Sequence, residues 1–552
     1  MSDYPVSCTV LFIAGFAILY LSYFVLLRKR FNHGIRTLLA QFGLGSKGIE
    51  FWILFANAII LGCSIEFLVH IAKDTCHFSP LTRIETAAAD WVMKLLVRSE
   101  PDATVKEHLT PIRWIDVDEK TYEQLGEPMS IPRSTLWQLI SKAIAAQAAV
   151  IVVDFALDWS VEAEGDRLLT QCLENYSALS IRSVAPNKIS CFQSSDLKAF
   201  PPILLAKSLK SSHRPMAERQ SQLCAAPACL RNDPRGLESI VRNSSVLFWA
   251  STTFVRDADY VARQWRLFEP TKRTRLDDWE SNVLPSVPLL TWAILRTPSL
   301  EGKPFNANRF LEELTTRFDS QNAISPQEAC AHGHSKDAWT LTGPRLKQTI
   351  QLSLCPEHLE QRVPYLIGNL KEPWPSPSVF WEGKNQFLFD IIYARELLAS
   401  NERYNLLASH RDSLKGKIVI IGASYEASRD FHATPIGEIP GALWMANAIA
   451  GIMEFGQMRH PSSKQEIAVT IAGLALVAYW FARCPSILAT VLAGLSVALI
   501  LIPASLYLFS SGTWLDFSLP VLGVAGHHFI DQITELIEKQ GHHRHNECTG
   551  QI

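Results

Sequence analysis

Residues 416–453, GKIVIIGASYEASRDFHATPIGEIPGALWMANAIAGIM, decide how the rest of the chain is read. Residues 418–421 form a short apolar run that ends at Gly422. Runs of this kind lie inside parallel sheets, buried on both faces, and the loops at their carboxyl ends are where α/β folds place ligands. A loop carrying Asp430, Thr434 and Pro435 follows, and a helix is predicted from about Gly441.

The partners of that strand lie far upstream. Residues 112–117 read as a strand, residues 134–146 as a helix capped by Ser134, and residues 150–155 as a second apolar strand. Strand, helix and strand at that spacing make a right-handed parallel unit. Asp116, Asp118 and Glu119 stand at the end of the first strand, Asp154 and Asp158 at the end of the second, and Arg133 just before the helix. If neighbouring strands carry them, these groups converge on one rim. There they either bind a polar ligand or satisfy one another as a structural network, and the sequence leaves both readings open.

The two ends of the 552-residue chain are different in kind. Residues 8–27 are apolar over about the twenty positions a bilayer helix needs, and residues 51–72 form a second such run with one acid, Glu66. A cleaved signal peptide competes for the first run, but no basic segment precedes it and no small-residue cleavage site follows. Residues 467–482, 486–509 and 514–530 are three further predicted spans. The last contains Asp516, Pro520, His527 and His528, so a re-entrant or interfacial helix competes with a full span there.

Basic residues orient these segments. Arg28, Lys29, Arg30, Arg36 and Lys47 crowd the loop between the first two spans, and cytoplasmic loops collect such residues. The expected organisation is therefore two leading helices with an inside loop (1–72), a large outside domain (73–464), three trailing helices (465–530) and a short inside tail (531–552). The net charge of −2 gives no general reason to expect nucleic acid.

Cys76, Cys172, Cys191, Cys224, Cys229, Cys330 and Cys355 all fall in the outside domain, which suits an oxidising compartment. Cys224 with Cys229, and Cys330 with Cys355, are the candidate disulfides, against the alternative that all are reduced and buried. No CxxC pair points to zinc. Residues 183–242 are basic and carry Pro186, Pro201, Pro202, Pro227 and Pro234, and read as a surface insertion; residues 304–364 read as a second. The basic insertion is read as a solvated loop, with contact to phosphate-rich lipid or polymer as the alternative.

Five segments carry a family resemblance. IDVDEKTYEQLGEPMSIPRSTLWQLI (115–140) and VIVVDFALDWSVEAEGDRLL (150–169) are similar to the opening strands of the CHASE type 2 domain, a sensory module on the outer face of bacterial membranes. RDADYVAR (256–263) resembles its Asp-x-Asp-Gly-x-x-Arg hairpin, with Tyr260 in place of the turn glycine, and LPSVPLLTWAIL (284–295) resembles the helix that follows. In the closing stretch Gly422, Asp430, Thr434, Pro435, Gly441, Ala446 and Asn447 match the family one for one, and His432 also fits. Residues 127–131 depart from it, since Pro128, Met129 and Ser130 replace an aromatic Trp-Pro-Trp. Members typically have one leading span and continue into a cyclase or kinase. Here two leading spans are expected and no output domain.

The chemistry of an enzyme is not legible. A nucleotide-processing output domain needs well over a hundred residues to bury its site, and no GxxxxGK loop occurs. Asp116 and Asp118 resemble the start of a haloacid-dehalogenase-type phosphatase, which needs Thr or Val two residues past the second acid. Lys120 stands there, with Thr121 one step late. His542, His543, His545 and Cys548 form a soft-ligand tail of the sort that binds metals weakly and incidentally.

The sequence therefore predicts an α/β extracytoplasmic sensor domain, a parallel-sheet core with insertions, joined to all-α transmembrane helices. The resemblance implies a non-enzymatic receptor component in a bacterial inner membrane, with its large domain facing the periplasm. No cofactor or metal is expected; membrane lipid, a separate cytoplasmic effector or envelope protein, and a second copy of the chain are the expected partners. The ligand-binding candidates are Asp116, Asp118, Arg133, Asp154, Asp430, His432, Thr434 and Asn447. The rival reading is a membrane scaffold whose outer domain assembles an envelope complex and senses nothing.

Overall fold

In the computed structural model the described residues are 28–42, 110–157, 163–180, 191, 200–207, 209–210, 228–230, 237–257, 259–274, 279–296, 307–322, 339–342, 349–352, 359–367, 379–381, 386–399, 413–458 and 486–510, with isolated positions in 45–56, 86–94, 469–484 and 512–513. The chain divides into two units, residues 93–458 and residues 1–92 with 459–552.

The larger unit is built around a sheet whose central strands, such as residues 150–153 and 418–423, are apolar almost throughout. In chain order its elements begin with β1 (Ile112–Val117), α1 (Glu119–Gln124), α2 (Arg133–Ala145), β2 (Val150–Val153), α3 (Ala163–Ser180) and β3 (Ile203–Lys207). Next come α4 (Leu237–Arg242), β4 (Leu247–Ser251), the hairpin strands β5 (Phe254–Arg256) and β6 (Ala262–Arg266), then β7 (Phe268–Thr274), β8 (Trp279–Pro285), α5 (Val287–Arg296) and α6 (Ala307–Asn322). The last group is β9 (Glu360–Arg362), β10 (Val379–Trp381), β11 (Gln386–Tyr393), α7 (Ala394–Ala399), β12 (Ile418–Ala423), the hairpin β13 (Phe431–Thr434) and β14 (Gly437–Pro440), and α8 (Gly441–Phe455).

Seven strands form one sheet in the order β10-β11-β1-β12-β2-β3-β4. All neighbours are parallel except β10, which runs antiparallel to β11. The late strand β12 therefore lies between β1 and β2, pairing Ile112 with Ile418 on one side and Val150 with Ile418 on the other. The two early strands are not neighbours, contrary to the simplest reading of a strand–helix–strand unit.

Alternation along the strands sorts side chains onto two faces. Ile112, Trp114, Val150, Val152, Ile418 and Ile420 pack with α5 and α8, whereas Ile115, Val117, Ile151, Val153, Val419 and Ile421 pack with α2 and α3. Helix α8 is buried at every position from Gly441 to Met453, and each large side chain there, such as Ile449 or Ile452, contributes about 1.5–3 kcal/mol of burial. Its close approach to the sheet depends on Gly422, where an added Cβ would lie 2.6 Å from the Ala442 Cβ.

Several local expectations change. Helix α2 begins at Arg133 with Pro132 at its N-cap and no side-chain cap, so Ser134 lies inside the first turn and caps nothing. Pro132 there has φ −55° and ψ 134°, an extended conformation outside the helix. The first expected insertion contributes the fully buried core strand β3 and helix α4, and the second contributes α6 and β9. Pro201 and Pro202 had the look of a loop, but proline is tolerated at the start of a strand; the Pro202 carbonyl accepts from the Ile151 amide at 2.9 Å and the Pro201 carbonyl from the Tyr176 hydroxyl at 2.7 Å. A disulfide joins Cys172 to Cys191, a pairing the sequence reading did not single out. Cys224, Cys330 and Cys355 lie outside the described residues, so neither of the expected pairs is placed.

The smaller unit contains a helix at Arg28–Gln41 and α9 (Ser486–Ser510), 25 residues with Pro503 inside. Taken over the described residues alone, no helix is long and apolar enough to cross a membrane. The expected spans at 8–27 and 514–530 lie outside the described residues, as do most of 51–72 and the tail from 531.

Candidate functional site

The carboxyl ends of β1, β12, β2 and β11 bring several of the expected residues together, in three groups. In the first, Asp116, one residue before the end of β1, is fully buried. Its Oδ2 accepts from the Ser424 hydroxyl at 2.7 Å, and its Oδ1 is buried with no hydrogen-bond partner among the described residues. Burial, opposed by the Ser424 bond and assisted by Asp118, pushes this carboxyl up to about 7.

Asp118 has a different task two residues on. Its Oδ1 caps α1, accepting from the Thr121 amide at 3.0 Å and the Thr121 hydroxyl at 2.5 Å, while its Oδ2 accepts from Arg395. Arg395 enters on α7 directly after β11 and stacks on Tyr393 at 4.1 Å. Tyr122 of α1 stacks on Tyr425 beyond β12 at 4.3 Å, which fixes the two loops together.

The second group surrounds Asp154. Its amide donates to the Ile421 carbonyl at 2.9 Å, and burial together with the Asp430 charge pushes its carboxyl up to about 8. Asp430 pairs with His432 Nε2 at 2.9 Å, and the Gly441 amide donates to the Asp430 carbonyl at 2.8 Å. A Cβ at Gly441 would come within 2.4 Å of the Asp430 carboxylate. That carboxylate therefore sits against the first turn of α8, where exposed amides and the helix dipole favour a negative charge. The His432 ring packs on Phe254 at 4.2 Å, with Nδ1 buried and unpartnered among the described residues.

Arg133 forms the third group. Both it and Asp166 are buried; they pair at 3.4 Å, and Arg133 also donates to the Ala156 carbonyl at 2.8 Å. Two expected residues lie elsewhere. Thr434 donates to the Gly437 carbonyl at 2.5 Å and closes the β13–β14 turn. Asn447 is fully buried in α8, where its amide accepts from the Ile367 N–H and donates to the Ile367 C=O, both at 2.7 Å. Both side chains are occupied by the fold, and neither belongs to the rim.

Ser424 and Arg395 complete the rim and were not singled out in the sequence. The signal for Arg395 was its place immediately after an apolar strand; Ser424 gave none, because it meets Asp116 only through strand pairing. The Asp257, Asp259 and Arg263 motif is a hairpin clamp: Arg263 donates to Asp257 at 2.8 Å and to both Asp259 oxygens at 2.7 Å. Tyr260 at its turn has a left-handed φ of 64°, the conformation that glycine adopts most readily. Among the described residues no group of three or more His, Cys, Asp or Glu is placed to hold a metal ion.

A protein-family model described as the CHASE2 domain matches residues 67–480 of the 552. No curated protein and no solved structure matches the chain.

Proposed function

The chain belongs to the CHASE2 domain family, a family of sensory domains, and from that membership we propose a sensor component whose large domain faces outward from a bacterial inner membrane and whose signal passes to a separate partner inside. The observation that carries the ligand-binding part is the carboxyl edge of the sheet, where Asp116 keeps a buried oxygen with no partner among the described residues and Asp154 stands beside Asp430. Parallel α/β sheets bind ligands at that edge. A ligand there must favour one arrangement of the surrounding elements, otherwise nothing is transmitted.

Membrane insertion is part of the same proposal. Helix α9 carries no charged residue and exposes Leu488, Val491, Leu495 and Leu499 along one stripe, a surface suited to lipid or to another apolar helix. The test is purification of the full chain from its native membrane in mild detergent. A cytoplasmic kinase or cyclase recovered in stoichiometric amount is the expected result.

One observation favours a second reading, that of a non-sensing envelope scaffold. Most polar groups at the rim are already bonded to the protein, as a purely structural network would have them. Recovery of envelope components in place of a signalling partner would establish that reading and remove the sensor.

A further inference from the structure

A cavity of about 480 Å³ lies at the outer end of the sheet, beside β3 and β4 and under α4 and α6. It is within the range of small-molecule sites, and its walls combine apolar residues such as Val241 and Leu247 with four charged ones, Lys207, Glu238, Arg242 and Glu312. Its most unusual lining residue is Lys207. Strand β3 is otherwise Ile-Leu-Leu-Ala, yet it ends in a lysine whose side chain is only 2% exposed. The ammonium is held by Glu238 Oε2 at 2.7 Å and by the face of Trp249 at 4.3 Å.

A buried ammonium is costly unless paired, and an apolar residue would serve the strand at least as well. Anchoring of α4 by the Lys207–Glu238 pair is the purely structural account. It leaves Arg242 unexplained. Arg242 lines the same cavity four residues after Glu238 on α4, is exposed, and has no ionic partner among the described residues. The one further acid in the lining, Glu312, is exposed on α6. Lys207 is thus the one deeply buried charge of the lining, and Glu238, Arg242 and Glu312 lie nearer solvent.

We propose that this cavity binds a small organic carboxylate with an apolar body. The ligand carboxylate takes the place of Glu238 on Lys207, the body lies against Val241 and Leu247, which share the Lys207 face of the sheet, and the released Glu238 turns to Arg242, its i+4 neighbour on the same helix. Every charge keeps a partner through the exchange, and α4 is the element it shifts. The site is two strands from β12, and the proposal stands whether or not the domain signals.

The experiment uses the full chain in mild detergent and three probes of similar shape: phenylacetate, 2-phenylethylamine and 2-phenylethanol. Binding is followed by saturation-transfer NMR, titrated up to about 10 mM, the weakest affinity expected of a ligand of about ten non-hydrogen atoms. Phenylacetate is expected to bind at least about tenfold more tightly than the amine or the alcohol, the effect of one charge-assisted bond. That preference is expected to vanish in Lys207→Met and to weaken several-fold in Arg242→Gln. Since Lys207→Met removes a buried charge and is at risk of misfolding, Thr315→Trp provides the second arm, filling the cavity from the half-exposed face of α6. Loss of phenylacetate binding in Thr315→Trp with unchanged circular dichroism supports the proposal. Equal binding of the three probes, no binding of phenylacetate, or binding unaffected by Thr315→Trp overturns it.

Discussion

The carboxyl edge at β1, β12 and β2 and the cavity beside β3 and β4 contain the same kinds of side chain, acids and an enclosed cation, put to different use. At the edge, Asp118, Arg133 and Asp430 are each fixed by partners that belong to the fold: the N-cap of α1, the Asp166 carboxylate and the first turn of α8. In the cavity, Glu238 and Arg242 stand on a six-residue helix at the edge of the sheet, within reach of solvent and of each other. The lesson is that polarity at a strand end points to a ligand only through the groups whose bonds the fold leaves unfilled or exchangeable, such as Asp116 Oδ1 at the edge and the Lys207–Glu238 pair in the cavity. A buried charge next to open volume is the stronger ground for one.

The largest effect that would break this contrast is at Arg133. Removing one partner of a buried pair leaves the other charge unpaired, so Arg133→Ala is expected to cost about 3–5 kcal/mol in chemical denaturation. An unchanged denaturation midpoint would mean that the carboxyl edge is no more structural than the cavity. Gly441→Ala comes next, at about 1–3 kcal/mol, since its Cβ overlaps the Asp430 carboxylate. In the double variant with Asp430→Ala the costs should fall short of additive, because the clash is gone; full additivity would show that the contact is not what excludes a side chain.

A titration sharpens the contrast further. Asp116 is held up to about 7 by burial, against roughly 3.9 in an unfolded chain. Between these values the folded state keeps a proton that the unfolded state has released, so its contribution to stability is present below about pH 4 and is lost as pH rises to about 7. Asp116→Asn should reduce the fall in stability over that window, with an upper limit of about 1.4 kcal/mol per pH unit for one group. A wild-type stability that rises with pH, or a slope the same in both proteins, would refute this account of the buried carboxyl. The smallest effect belongs to the cavity: Arg242→Gln should alter stability by no more than about 0.5 kcal/mol, as at an ordinary surface position. A loss comparable to that of Arg133→Ala would erase the difference between the two regions.

Strands β2 and β12 were legible because each is an apolar run that ends at Asp or Gly, and β1 because its apolar residues lead to an acid at the strand end, patterns that suit buried parallel strands. Strand β3 is also apolar up to its last residue, Lys207, and was passed over, since Pro201 and Pro202 before it and the basic stretch after it read as loop. Proline is costly inside a sheet and harmless at its margin, and local sequence does not say which place it occupies. The candidate residues divide similarly. Asp116, Asp118 and Asp154 were placed correctly at strand ends, while Thr434 and Asn447, identified through family resemblance, proved to be engaged in a turn and in backbone bonds inside the core.

The sequence by itself determined three of the buried strands, β1, β2 and β12, where the closing helix begins and to which family the chain is similar, because these rest on periodicity and short local motifs. Only the tertiary structure decided that β12 enters between β1 and β2. Strand order in a parallel sheet is set by how the crossovers pack, and no local pattern encodes it. That insertion brings Ser424 to Asp116 across 308 positions of chain, and the same long-range packing sets Lys207, Glu238 and Arg242 around one cavity.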